Sequence, residues 1–445
     1  MHAEPTQRSS GDDGAPLRVL VVAENASDRM GGEAVLPLHY FRELRRAGVE
    51  AWLITHERVA PELRESLGGD IEFVRFVEDT WLHRAAYRIG RMFPSQIELA
   101  WYALTLGTLT QIRLRRMAIE LHRERGIDIV HQPTPVAPKA PSWIFGVGAP
   151  VVIGPMNGGM VYPGGFARLY ESRLTAAAVR VLRGLSQALH VIVPGKLLAT
   201  RLLVANERTR QALPLLARGR VTQIVENGIL ENEVGSTASA GNPLEKQDDA
   251  SQREIQFLYV GRLVDWKGVD YLIRAVAAVR EQTPCRLVIA GDGTERAMLE
   301  RLVAELGLQS NVEFLGFTPR AECFALMRRS DVFVLSSLRE CGGAVVLEAM
   351  ANGLPVIATD WGGPADYLDA SCGILVPPTE PERFVRDLAE AMTALAREPE
   401  RRRALSEAGV RRVTTEFTWS KKIEDVLAVY SSVLGRELPA LCEKS

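Results

Sequence analysis

The sequence predicts an α/β protein built from two doubly wound domains with parallel sheets. Three observations carry that prediction. The length of 445 residues exceeds one typical domain and suits two of about 200 residues each. From Phe257 to Val376 short apolar runs alternate with helical windows, the pattern of parallel strands covered on both faces by crossover helices. Finally, Asp331 to Pro378 reads as one βαβ unit. Val332 to Leu335 is its first strand, Glu340-Cys341-Gly342-Gly343 its turn, and Ala344 to Ala351 its helix, which Gly353 and Pro355 close before the strand Val356 to Thr359.

Composition narrows the function classes. A net charge of −2 gives no support for a nucleic-acid partner. Five cysteines, an odd number without metal-type spacing, point to reduced thiols and a cytoplasmic location. Residues 1–16 are polar and lack an apolar core, so they read as a disordered leader rather than a signal peptide. No apolar stretch approaches the ~20 residues of a membrane span, which leaves a soluble protein or one held at a membrane surface.

In chain order, Leu17 to Ala23 is a strand that runs into a loop containing Gly31-Gly32, followed by a helix over Ala34 to Arg46 and a strand over Glu50 to Ile54. A glycine pair between a first strand and its helix lets backbone approach a ligand closely, but no third glycine completes G-x-G-x-x-G, which disfavours a nicotinamide-dependent oxidoreductase. Trp81 to Arg125 is long helical patterning with Arg84, Arg88, Arg91, Arg113, Arg115 and Arg116 beside Trp81, Phe93, Trp101 and Tyr102. Such a surface suits an anionic membrane face or a lipid-linked acceptor, as well as plain solvent. The strand Ile127 to Val130 ends at His131, the histidine best placed to touch a substrate, and Val151 to Ile153 leads to Met156-Asn157-Gly158. His190 to Val193 and Val221 to Val225 read as strands, and Glu231 to Glu254 as a polar surface loop or linker near the domain boundary.

In the second half, Gly261-Arg262-Leu263-Val264-Asp265-Trp266-Lys267-Gly268 follows the first strand and presents a guanidinium and an ammonium five residues apart, suited to two phosphates. Gly291-Asp292-Gly293 follows the next strand, and Phe314 to Thr318, with Phe317, the one after. Glu340 and Glu348 lie roughly 12 Å apart if both ride a helical rise of ~1.5 Å per residue. Between them the amides of Gly342, Gly343 and Ala344 open a helix N-terminus that favours a diphosphate. The stretch therefore reads as a ruler for a nucleotide sugar, with a carboxylate for sugar hydroxyls, amides for phosphate and a carboxylate for a ribose diol.

The run from Glu340 through Glu348 to Ala358 resembles the donor-site signature of the family 4 retaining glycosyltransferases, whose fold, GT-B, sets two Rossmann-like domains facing each other across a cleft. The resemblance implies a 17–200 acceptor domain joined by a C-terminal helix, 420–436, and a 201–419 donor domain. It implies a metal-independent, hexosyltransferase-like reaction without cofactor, from a nucleotide-diphosphate sugar to a sugar or lipid-linked acceptor, in polysaccharide or glycolipid synthesis at or near the inner face of the cell membrane. Arg262 and Lys267 would neutralise the leaving diphosphate, Glu340 would hold the sugar, and Glu348 the ribose. Gly31 and Gly32 would face the donor phosphates, Gly291, Asp292 and Phe317 would line the donor crevice, and His131 and Asn157 would serve the acceptor or sugar side. Two positions depart from the family pattern: Met156-Asn157-Gly158 stands where a histidine-glycine or histidine-threonine pair is common, and Gly342 where phenylalanine is common. The competing readings are a nucleotide-sugar epimerase of similar fold and a non-catalytic nucleotide-sugar-binding protein.

Overall fold

A computed structural model describes residues 16–93, 95–170, 189–235 and 254–438. The leader, apart from Pro16, and most of the polar stretch expected as a linker lie outside the described residues. Seven parallel strands form the first sheet: β1 (Arg18–Val22), β2 (Glu50–His56), β3 (Val74–Val77), β4 (Ile129–Gln132), β5 (Val151–Met156), β6 (Arg201–Val204) and β7 (Val221–Gln223). Their spatial order is β3-β2-β1-β4-β5-β6-β7. Six more parallel strands form the second: β8 (Ile255–Val260), β9 (Cys285–Ala290), β10 (Val312–Gly316), β11 (Val332–Leu335), β12 (Val356–Thr359) and β13 (Gly373–Val376), in the order β10-β9-β8-β11-β12-β13.

Both sheets owe their parallel form to strands that are apolar on both faces. Val19, Leu20, Val21 and Val22 are all buried, and so is every residue of β11 and β12. Such strands need helices above and below. In the first sheet Val19 and Val21 point into one core and Leu20 and Val22 into another, as the two-residue period of a strand requires.

The chain order reverses between β1 and β4 in one sheet and between β8 and β11 in the other. At these points neighbouring strand-end loops turn to opposite sides and open a crevice, the usual ligand position in open α/β sheets. Each half therefore owns one such crevice.

Three sequence expectations are corrected. β6 and β7 extend the first sheet to Gln223, so it passes the division expected at residue 200. Residues 189–192 are helical, not a strand, and the strand lies at Arg201–Val204 instead. A short apolar run does not by itself distinguish strand from helix. Trp81 to Arg125 divides into two helices, Trp81–Gly90 and Ser95–Arg125, which cross closely at Gly90. A Cβ there would meet the Tyr102 ring at 2.3 Å. Of its arginines, Arg115 is half-buried and donates to the Phe145 carbonyl at 2.6 Å.

The chain crosses between sheets twice, and the crossings pair. Ile229 donates to the Phe417 carbonyl and accepts from Trp419, both at 2.9 Å. The final helix, Trp419–Leu434, then packs Trp419, Ile423, Val426 and Tyr430 into the core of the first sheet. Among the described residues no helix is long and apolar enough to cross a membrane.

Candidate active site at the second switch point

Because β8 and β11 are neighbours, the loops that follow them are laced together. Leu338 donates to the Trp266 carbonyl at 2.9 Å and the Ser336 hydroxyl to the Lys267 carbonyl at 3.2 Å. Gly268 permits this approach: its φ is +60°, and a Cβ would lie 2.5 Å from the Ser336 carbonyl oxygen. The lacing brings Lys267 against Glu340, where ammonium and carboxylate form an ion pair with side chains 13 % and 16 % exposed. Ser337 Oγ adds a bond to the same carboxylate oxygen at 3.3 Å. Arg262 sits on the same loop as Lys267, exposed, its guanidinium 5.9 Å from the Trp266 ring centre.

Behind Glu340 the backbone is packed too tightly for side chains. Gly363 donates to the Glu340 carbonyl at 2.9 Å, and a Cβ on Gly363 would lie 2.0 Å from the Gly342 oxygen. Gly343 caps the helix Ala344–Ala351 with φ +74°. A Cβ on Gly342 would come within 2.3 Å of a Glu226 carboxylate oxygen and 2.5 Å of Asn227 Nδ2, which leaves no room there for a phenylalanine.

Glu348, on this helix, is held by Arg320, which the sequence reading did not single out. Arg320 Nε and Nη2 reach Glu348 Oε1 at 3.1 and 3.0 Å while the same guanidinium clasps Glu233. Burial raises the Glu348 carboxyl and Arg320 opposes that rise. Both bonds fall on Oε1, and Oε2 takes none from Arg320.

The other strand ends of this sheet complete the rim. Gly291 donates to the Gly316 carbonyl at 2.8 Å, joining the loops after β9 and β10. Asp292 caps its own turn through the Gly293 amide at 2.7 Å and pairs with Arg296. Phe317 stands 84 % exposed at the end of β10, a free aromatic face. Gly31 and Gly32, after β1, have φ values of +63° and +57° with open space around a would-be Cβ.

The two expected acceptor-side residues are both buried and bonded within the protein. His131 is fully buried, with Nε2 2.6 Å from the Gly154 carbonyl and Nδ1 2.6 Å from the Tyr430 hydroxyl. Neither ring nitrogen is open to a substrate, because the final helix covers the end of β4. Asn157 is also buried. Its Nδ2 donates to Glu226 at 2.6 Å and to the Cys341 carbonyl at 2.8 Å, so it ties the first sheet to the loop that carries Glu340.

Burial lowers the His131 imidazole to about 4 from 6.5. The unfolded chain thus takes up this proton near pH 6.5 and the folded chain only near pH 4. The stability is complete above 6.5 and is lost as the pH falls through that window, by about 3 kcal/mol at its end. His131→Phe is expected to reduce the pH dependence of the melting temperature between 6.5 and 4, the remainder belonging to His39 and His190, which burial also lowers to about 4, and to leave nucleotide affinity unchanged. A weakened nucleotide affinity would return His131 to the site.

The two facing parallel-sheet domains, each with its crevice, define a GT-B fold. Residues 243–412 match the model of the family described as glycosyl transferases group 1. Among relatives, an uncharacterized glycosyltransferase of Methanocaldococcus jannaschii is 42% identical over 137 residues, covering 31% of this chain and 34% of its own. A D-inositol 3-phosphate glycosyltransferase of Corynebacterium aurimucosum is 32% identical over 189 residues, 41% of this chain and 44% of its own. The chain thus spans less than half the length of these curated relatives. Among solved structures, Anabaena Alr3699/HepE in complex with UDP superposes with a TM-score of 0.61 at 18% identity, covering 94% of this chain and 100% of that one.

Proposed function

We propose that the chain is a retaining, metal-independent glycosyltransferase of family 4 that transfers a hexose-type sugar from a nucleotide-diphosphate sugar to an acceptor hydroxyl. The observation that carries this reading is the meeting of Lys267 and Glu340 at the second switch point, beside Arg262 and a glycine-lined helix start. As the bond from the anomeric carbon to the phosphate oxygen breaks, negative charge grows on the departing diphosphate and positive charge on the sugar. Fixed donors already in place at the phosphate stabilise that change without reorganising. Arg262 and Lys267 supply the cations and Gly342, Gly343 and Ala344 the amides. Glu340 holds the sugar hydroxyls, Glu348 Oε2 takes the ribose diol, and Phe317 offers a face to the base. Gly31 and Gly32 approach the phosphates from the other domain. Support also comes from the relatives' names as glycosyltransferases and from the UDP bound by the Anabaena protein. The cellular setting that fits is polysaccharide or glycolipid synthesis in the cytoplasm, with peripheral contact at the inner membrane face.

The test is thermal stabilisation by UDP-, GDP- and ADP-sugars. A ligand at one hundred times its Kd stabilises by about 2.7 kcal/mol, a shift of several degrees for a domain of this size. One of the three nucleotide series is expected to give that shift, and product to form only when an acceptor is added. No shift with any series would overturn the reading, and sugar conversion without an acceptor would replace transfer by epimerisation.

A further inference from the structure

The first sheet holds two adjoining cavities at its own switch point. The one beside the strand ends, about 530 Å³, is lined by Asn25 and Glu33 from the loop after β1 and by Gln132 and Thr134 at the end of β4. Asn25 Oδ1 is buried there without a hydrogen-bond partner. The other, about 570 Å³, lies against the helix Trp81–Gly90 and is lined by Arg58, Arg84, Arg88 and Arg91. Arg58, Tyr87 and Leu106 line both.

The charge in the outer cavity is one-sided. Arg84, Arg88 and Arg91 recur at intervals of four and three residues, which places them on one helical face. None of the three forms an ion pair within the described residues. The single carboxylate lining that cavity, Asp79, already bonds His56 Nε2 at 3.1 Å. Arg58 reaches Glu24 at 3.4 Å, and Glu33 is engaged by the Val136 amide at 2.9 Å. His83 contributes no cation, since its ring nitrogens face the Thr80 and Thr110 hydroxyls and burial lowers its pKa. Three unopposed guanidinium groups around one cavity exceed what a single carboxylate would neutralise and suit a phosphoryl or diphosphoryl group, which carries more charge and more acceptor oxygens.

We propose that these joined cavities are the acceptor site, selective for an acceptor bearing a phosphate or diphosphate ester. Arg84, Arg88 and Arg91 bind the anion, while the inner cavity, with Asn25 and Gln132, positions the acceptor's hydroxyl-bearing part at the strand ends. This rests on the glycosyltransferase reading and deepens it by naming the acceptor class.

The experiment titrates inorganic pyrophosphate into wild type and into R84Q/R88Q/R91Q, with nucleoside diphosphates titrated in parallel. The three side chains are exposed, so the variant should fold, and its melting curve checks this. Wild type is expected to show two pyrophosphate sites, one displaced by a nucleoside diphosphate and one not. In the triple variant the second weakens tenfold or more, and the nucleotide affinity is unchanged. An unaltered second site in the variant, or a single site in wild type, overturns the proposal. So does a variant that loses only its binding to phosphatidylglycerol vesicles, because the arginines would then serve a membrane face. Absence of nucleoside diphosphate binding in wild type overturns the donor reading instead, and the comparison of pyrophosphate sites still decides the arginines.

Discussion

Lys267→Ala and Glu340→Ala are each expected to abolish measurable sugar transfer while the protein stays folded. Removing one preorganised donor from a developing oxyanion costs about 10²–10³ in rate. Lys267 supplies a full charge rather than a neutral donor, in a position only 13 % exposed. The fold should survive because the structural bonds at these positions belong to the backbone. The Lys267 carbonyl accepts from Ser336 and the Glu340 carbonyl from Gly363, and alanine keeps both. The two variants should differ in binding. Glu340 is the counter-ion of Lys267, so under the proposed function a diphosphate competes with it. Lys267→Ala should therefore weaken nucleoside diphosphate binding, and Glu340→Ala should leave it equal or tighter while losing transfer. Calorimetry with the nucleoside diphosphate and a product assay separate these outcomes. Near wild-type transfer by either variant would remove the pair from the site.

The second sheet was legible because its strands are continuous apolar runs that end in glycine turns, so Arg262, Lys267, Glu340 and Gly343 could be placed at strand ends from the sequence alone. What the sequence did not carry was which strand ends are neighbours. The pairing of β8 with β11 joins residues 73 positions apart, and that is a property of strand order. Arg320 escaped notice for the same reason, since its partners Glu233 and Glu348 come from separate elements. The first sheet was harder to read. β6 and β7 span only four and three residues, too short for a periodic signal. His131 stood at a strand end, where ligands often bind, but Tyr430 reaches it from 299 residues away and closes it off. Gly342 departed from the family pattern without a visible cause. Its cause is Glu226, which occupies the space a side chain would need.

Glu226 also carries the largest expected stability effect. It is 4% exposed and lies where the chain leaves the first sheet. Its Oε1 accepts from Asn157 at 2.6 Å and from Asn227 at 2.9 Å. Lys422, on the returning crossover, is buried beside it and donates to the Val225 carbonyl. Burial pushes the Glu226 carboxyl up and the Lys422 ammonium down, and each is opposed by the charge of the other. Glu226→Leu leaves two amides without this acceptor and the ammonium, still bonded to the Val225 carbonyl, without its counter-charge, at a cost of about 3–5 kcal/mol for stranding a buried partner. Lys422→Met should relieve part of that loss in the double variant, because removing both members of a buried pair costs less than removing one. Urea unfolding of the two single variants and the double variant measures the coupling, and strictly additive losses would dissolve the pair. Activity should fall with stability in Glu226→Leu. Asn157 holds the Cys341 carbonyl at 2.8 Å, one residue from Glu340, and Asn206 and Arg208 hold Asp366 across the same interface at 2.7 and 3.3 Å. The buried charges at the crossover thus fix the orientation of the loop that presents Glu340 to the cleft, and loosening them should lower kcat even in molecules that remain folded.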